Sequence, residues 1–259
     1  MKHTVLITGA SSGIGYEMAI LFAKNGHDLI LIARNASALL TFADELRERY
    51  HVQVAAFARD LTHLDEVKSV YTAIREEGVF IDFLVNNAGL GDQGEFASSD
   101  WNKQYYMMEL NMVSLAYLTH LLVQDMKREK RGRIMNVAST AAFQPGPFMA
   151  VYYATKAFVL SFSEALSVEL KPYQISVTTL CPGATQTNFA NAANADEILL
   201  FKNRKLPTAA SVAEYGFMAM MQGKRLAIPG FLNKLMTFSV RLSPRWVVLK
   251  IAAALNRSN

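Results

Sequence analysis

Two adjacent tyrosines, Tyr152 and Tyr153, stand four and three residues ahead of Lys156. On a helix either spacing brings a phenol close to the lysine ammonium. A phenol held beside a cation can give a proton to an oxygen that gains charge. Phenols titrate near pH 10, and lowering that value by about two to three units takes roughly 3–4 kcal/mol of differential stabilisation. A partly desolvated lysine at close range can supply it. Helix geometry alone does not say which tyrosine does so. Ser139 ends the apolar run RIMNVAS, where its hydroxyl could donate to a carbonyl oxygen as charge develops. Asn111 shares a helical face with Leu115, Leu118 and Leu122, so its amide needs a partner, as a satisfied core asparagine or as a working group.

A second constellation, TGASSGIG at 8–15, lies between an apolar run and a helical pattern. Gly9, Gly13 and Gly15 let the backbone turn sharply and approach a pyrophosphate. Ser11, Ser12 and Ile14 then open a helix whose free N–H groups and dipole favour that anion. The spacing departs from the usual dinucleotide fingerprint, so position carries the inference. The second apolar run ends in Ala33-Arg34-Asn35, with no carboxylate to bind a ribose 2′-hydroxyl. Arg34 suits a 2′-phosphate instead, so NADP(H) is the preferred cofactor and NAD(H) the second choice. Asp60 and Leu61, after the third run, flank an adenine, or Asp60 only caps a helix.

The elements that must hold these groups are legible in the hydrophobic period. TVLIT, DLILIA, VQVAAFA, DFLVN, RIMNVAS and ISVTTL are short, continuously apolar runs, as in strands covered on both faces. Helical patterns separate them, at 14–24, 37–50, 64–77, about 100–130 and 151–171. Repeated strand–helix–strand units predict right-handed crossovers. The expected fold is a single α/β domain over 1–259, a Rossmann-like doubly wound parallel sheet of about seven strands with helices on both faces. Ser211 to Glu214 reads as a capping box for a further helix ending near Gln222.

The chain has 259 residues, 51% hydrophobic and 19% charged, with a net charge of +4. That excess suits anionic ligands. Its densest basic tract, KREKR at 127–131, precedes Gly132 and reads as a helix end, so no nucleic-acid partner is expected. One cysteine, Cys181, excludes an internal disulfide and reads as a small buried hydrophobe. The five histidines lack ligand spacing, and no metal is expected. Without a signal-peptide pattern or a long apolar span, the expected location is cytoplasmic.

Taken together, TGASSGIG, NNAG at 86–89, Asn111, Ser139, Tyr152-x-x-x-Lys156 and PGATQT at 182–187 resemble the short-chain dehydrogenase/reductase family, in order and over residues 4 to about 190. The resemblance implies an NAD(P)-dependent oxidoreductase, a homodimer or homotetramer, acting on a small carbonyl or alcohol substrate. It selects Tyr152 as the acid, four residues before Lys156 and thirteen after Ser139. It gives Asn111 a water that relays protons through Lys156. It places Asn87, Ala88, Gly89, Pro182, Gly183, Thr185 and Thr187, with Tyr152 and Lys156, against the cofactor. The leading expectation is an NADPH-dependent carbonyl reductase. A catalytically silent sensor or scaffold of the same fold is the alternative, and a sugar-nucleotide epimerase a distant third.

Phe143, Pro145, Phe148 and Met149 follow the serine, and Phe189, Ile198, Leu199, Leu200 and Phe201 fall in a loose region. The two sets are expected to face each other across the nicotinamide, with 184–210 as a movable lid over an apolar substrate. Tyr153 is expected to pack in the core or against another subunit, or else to wall the pocket. The 229–259 extension is apolar and basic, and Pro244 divides it. Covering the cleft or an oligomer interface is its expected role, with an amphipathic membrane-surface helix over 231–255 as the alternative.

Overall fold

The computed structural model describes residues 2–195 and 206–257. The apolar runs form β1 (Thr4–Thr8), β2 (Asp28–Ala33), β3 (Val54–Ala58), β4 (Phe83–Asn86), β5 (Gly132–Val137), β6 (Ile175–Leu180) and β7 (Leu226–Ala227). All pair in parallel, in the order β3-β2-β1-β4-β5-β6-β7. From β1 the chain winds outward to β3, then returns to β4 on the other side of β1. Two crossovers therefore diverge there and leave a crevice at the strands' C-terminal ends.

The helices are α1 (Gly13–Lys24), α2 (Ala36–Tyr50), α3 (Leu64–Glu76), α4 (Trp101–Met108), α5 (Leu115–Glu129), α6 (Ala150–Glu169), α7 (Phe189–Ala192), α8 (Ala209–Met221), α9 (Phe231–Ser239) and α10 (Arg245–Asn256). Alternate residues of each strand enter different cores. Val5, Ile7 and Leu31 pack with Met18, Phe22, Leu39 and Val212 of α1, α2 and α8. Leu6, Ile32 and Leu84 pack with Val67, Val70, Leu118 and Leu122 of α3 and α5. Burial on both faces is why the runs are continuously apolar.

Two local expectations are corrected. The long helix expected near 100–130 contains a π-helical turn, Glu109–Ser114, between α4 and α5, and Asn111 lies in it. The hydrophobic period on either side hides the wider turn, a feature frequent at functional sites. Helix α8 begins before Ser211, because Thr208 Oγ1 accepts the Ser211 N–H at 3.2 Å and caps it. Pro244 does divide the C-terminal segment, as the N-cap of α10, and the basic tract at 127–131 does end α5. Among the described residues no helix is long and apolar enough to cross a membrane, and no cluster is placed to hold a metal.

Candidate active site

The crevice begins at the turn after β1. Gly9 has φ +65°, and a Cβ there would lie 2.8 Å from Asn87 Nδ2 and 2.9 Å from Ala88 Cα. The close approach is deliberate. Thr8 Oγ1 accepts the backbone N–H of both Asn87 and Ala88 at 3.0 Å, and Asn87 Nδ2 donates to the carbonyls of Thr8 and Gly9. The loop after β4 is thereby stitched to the loop after β1. Ser12 is the N-cap of α1 without its side chain closing the cap, so first-turn N–H groups remain for an anion. Ser11, Ser12, Gly13 and Ile14 line the crevice. Gly15 is buried behind it, against Gly9 and Asn87. This cradle fits a dinucleotide pyrophosphate.

Arg34 lines the far end of the same crevice. Its Nη1 donates to the Tyr106 hydroxyl at 2.8 Å, and that hydroxyl donates to Asp60 at 2.7 Å. Burial pushes the Asp60 carboxyl up, but bonds from the Thr62 N–H, Tyr106 and Thr62 hydroxyls, with Arg34, hold it below its usual range. Asp60 does not line the crevice. It accepts the Thr62 N–H at 3.0 Å in the turn ahead of α3, whose N-cap is His63, and orients Tyr106. Leu61 does line the crevice, as does Arg59, which pairs with Glu66 at 3.0 Å. Two guanidinium groups thus border this end of the crevice.

Helix α6 supplies both members of the opening pair. Tyr152 and Lys156 are buried, and Lys156 Nζ lies 5.8 Å from the Tyr152 ring centre and donates to Val137 O at 2.9 Å. Burial pushes the Tyr152 phenol well above its ordinary value, with the Ser139 hydroxyl acting against it. Burial lowers the Lys156 ammonium to about 8. The expected lowering of the phenol is therefore not a property of the protein alone, since desolvation outweighs its neighbours. Ser139 Oγ itself accepts the Ala141 N–H at 3.1 Å, and Burial pushes the adjacent Cys181 thiol up to about 12, inert near neutrality.

Asn111 does not line the crevice. Its Oδ1 accepts from Leu90 N, and its Nδ2 donates to Leu90 O and Thr155 Oγ1, at 2.9, 2.9 and 3.0 Å. The amide is satisfied, bracing the loop after β4 against α6. A Cβ on Gly89 would stand 3.2 Å from Asn111 Oδ1 and 3.3 Å from Lys156 Nζ, so that glycine lets both approach the loop.

Asn87, Ala88, Gly89, Pro182, Gly183, Thr185 and Thr187 all line the crevice. Thr185 Oγ1 donates to Gly183 O at 2.9 Å, and Thr187 Oγ1 accepts from Phe189 N at 3.2 Å. The crevice continues past Tyr152 as one cavity of about 650 Å³, walled by Met149, Phe189 and the inner faces of α9 and α10. Of the four residues expected after Ser139, only Met149 reaches it. Phe143, Pro145 and Phe148 do not. Ile198, Leu199, Leu200 and Phe201, in the expected lid, lie outside the described residues. Within the described part of 184–210, Gln186 N donates to Pro207 O at 2.9 Å.

Tyr153 walls the cavity and is buried within its own chain. Its hydroxyl donates to Asn256 Oδ1 at 3.1 Å, and Asn256 Nδ2 donates to Pro147 O at 3.0 Å. Thr8, Arg59, Tyr106 and Asn256 were not anticipated from the sequence. Thr8 and Arg59 adjoin residues that were, and strand-end position could have found them. Tyr106 and Asn256 reach the site from 72 and 103 residues away from their partners, which no local pattern encodes.

A family profile described as short chain dehydrogenase matches residues 3–198. The chain is 34% identical to mouse (Mus musculus) 17-beta-hydroxysteroid dehydrogenase type 3 over 192 residues, 72% of this chain and 61% of that protein. Among solved structures it is similar to a short-chain dehydrogenase from Sphingobium yanoikuyae in complex with NADPH, with TM-score 0.83 and 32% identity over 93% of this chain and 94% of that one. It is also similar to the bulky-bulky ketone specific alcohol dehydrogenase from Comamonas testosteroni, with TM-score 0.79 and 30% identity over 93% of each chain. The chain spans about half the length of several curated relatives it matches.

Proposed function

This chain belongs to the short-chain dehydrogenase family, and from that premise we propose that it is an NADPH-dependent carbonyl reductase, reversible as an alcohol dehydrogenase, for a bulky apolar ketone. One observation carries the reading: a single cavity joins the glycine turn and Arg34 to Tyr152, Ser139 and an apolar wall. The NADPH in the Sphingobium structure and the ketone preference of the Comamonas enzyme support it.

When bound, the nicotinamide would supply hydride chemistry. The cradle at 11–14, the guanidinium groups of Arg34 and Arg59, and the loops at 87–89 and 182–187 would hold the cofactor. The chain's own part is proton handling. Burial keeps the Tyr152 phenol protonated, which is the form needed to give a proton to a carbonyl oxygen. Ser139, beside that phenol, is the second donor to the same oxygen. Lys156, fixed on Val137 O, keeps a positive charge behind the phenol below about pH 8. Asn111 keeps the loop after β4 in register with α6.

Self-association as a dimer or tetramer is part of the same reading, supported by exposed Trp101, Tyr105 and Phe158 on α4 and α6. Sedimentation would measure it. The function itself is tested with a panel of ketones and alcohols scored by NADPH and NADH absorbance. Turnover of bulky apolar ketones with NADPH is expected. Turnover limited to small polar carbonyls would reject the substrate class. No turnover at all, with cofactor binding demonstrated, would favour a silent sensor or scaffold.

A further inference from the structure

Helices α9 and α10 have two unlike faces. Inward, Thr237, Val240, Val248 and Ala252 wall the cavity, and Asn256 fastens α10 to Tyr153 and Pro147. Outward, Phe231, Leu235, Phe238, Leu242, Trp246 and Leu249 are exposed. Nine of the seventeen large apolar side chains exposed among the described residues fall within 231–251, so exposed apolar surface is concentrated on this segment rather than scattered.

The charge on that face has one sign. The sequence carries no aspartate or glutamate after Glu214, and Lys234, Arg241, Arg245 and Lys250 are exposed between the apolar residues. None of these four pairs with a carboxylate among the described residues. Lys234 Nζ instead lies 5.7 Å from the Tyr215 ring centre of α8, and Lys250 Nζ lies 5.3 Å from the Trp246 ring centre. A second copy docking this face to face would bring cations against cations with no acid between them. An anionic surface with an apolar interior answers both features: basic residues meet headgroups while Phe, Leu and Trp enter the acyl boundary.

We propose that α9 and α10 dock the protein on an anionic lipid bilayer, through their apolar outer face and its ring of lysines and arginines. Met236 and Ile251 both line the cavity and are exposed, which puts them at its rim on α9 and α10. Docking through these two helices would bring that rim near the bilayer. That an apolar substrate enters from the bilayer is a consequence resting on the proposed function; the docking does not depend on it.

The test is co-sedimentation of the full chain with vesicles of phosphatidylcholine alone and of phosphatidylcholine mixed with phosphatidylserine. Binding to the mixed vesicles, weakened by salt, is expected. Arg241→Glu with Arg245→Glu should reduce binding on the order of tenfold or more. Phe238→Ser with Leu242→Ser should do likewise without changing reductase activity in solution, because neither residue lines the cavity. Retained activity and circular dichroism verify that the variants fold. No binding at low salt, or equal binding to both vesicle types, overturns the proposal. So does a wild-type oligomer that falls to a smaller species in the Phe238/Leu242 variant and never binds vesicles, which would give this face to a second copy.

Discussion

The Tyr153 hydroxyl donates to Asn256 Oδ1 at 3.1 Å, so the residue beside Tyr152, the proposed proton donor, holds the last described helix. Both partners are buried. The same asparagine bonds Pro147 O in the loop that leads into α6. One side chain therefore fixes the distance between the cavity's C-terminal wall and Tyr152.

Asn256→Ala should loosen that wall. Losing one buried and one part-buried hydrogen bond is expected to cost about 1–3 kcal/mol of stability, read by denaturant midpoint. KM for a bulky ketone should rise while the affinity for NADPH, whose proposed site is the other end of the crevice, stays the same. Parallel losses for ketone and cofactor would mean that the change is global unfolding.

Tyr152→Phe should lower kcat by a factor on the order of 10² to 10⁴ and leave NADPH binding intact, measured by cofactor fluorescence. Tyr153→Phe removes one bond to Asn256 and should cost about 1 kcal/mol of stability with turnover retained. The reverse outcome would transfer the proton-donor role to Tyr153.

Arg34→Ala should weaken NADPH far more than NADH, by about tenfold or more, since a charge-assisted bond is worth about 1.5–3 kcal/mol. Tyr106→Phe should move the ratio in the same direction by less, because Tyr106 only orients the guanidinium. Equal losses for the two cofactors would show that Arg34 does not hold a phosphate. Titration calorimetry with each cofactor reads the difference directly.

Lys156→Met should abolish turnover yet stabilise the fold at neutral pH. Burial lowers this lysine from 10.5 to about 8, so the unfolded chain holds more protons than the folded one between those values. Stability from this group therefore rises with pH across that window, and its full cost, about 3 kcal/mol, applies below pH 8. The variant's advantage in thermal midpoint should be largest below pH 8 and shrink toward pH 10.5. An advantage that does not vary with pH would mean that packing, not charge, explains it. In the wild-type enzyme, reduction should decline as pH rises through about 8 and Lys156 loses its proton.

The fold was legible because its cause is local and repeated. Strands covered on both faces carry apolar side chains at successive positions with no charge among them, as Val5–Ile7 and Leu29–Ala33 do, and six such runs separated by helical periods leave few topologies. The cradle was legible for a similar reason. Gly9 and Gly13 need positive φ, and a serine-rich turn at a helix start is visible in a few letters. The π turn at Asn111 was not, since one wider turn leaves the hydrophobic stripe unchanged on each side. Asp60 was assigned to the adenine or to a cap, and its place behind Tyr106 depends on a residue 46 positions away.

The sequence by itself determined the parallel sheet, the anion cradle and the set of groups able to move a proton, because each follows from residue types at short, fixed spacing. Tertiary structure alone decided the ionisation of those groups and the shape of the cavity they face. Desolvation depends on everything packed around a side chain, so Tyr152 is raised and Lys156 lowered by burial that no neighbour in sequence reveals. The inward face of α10 was likewise decided by where Asn256 lands. Its docking on Tyr153 and Pro147 turns one side of an apolar, basic segment toward the cavity and leaves the other in the open.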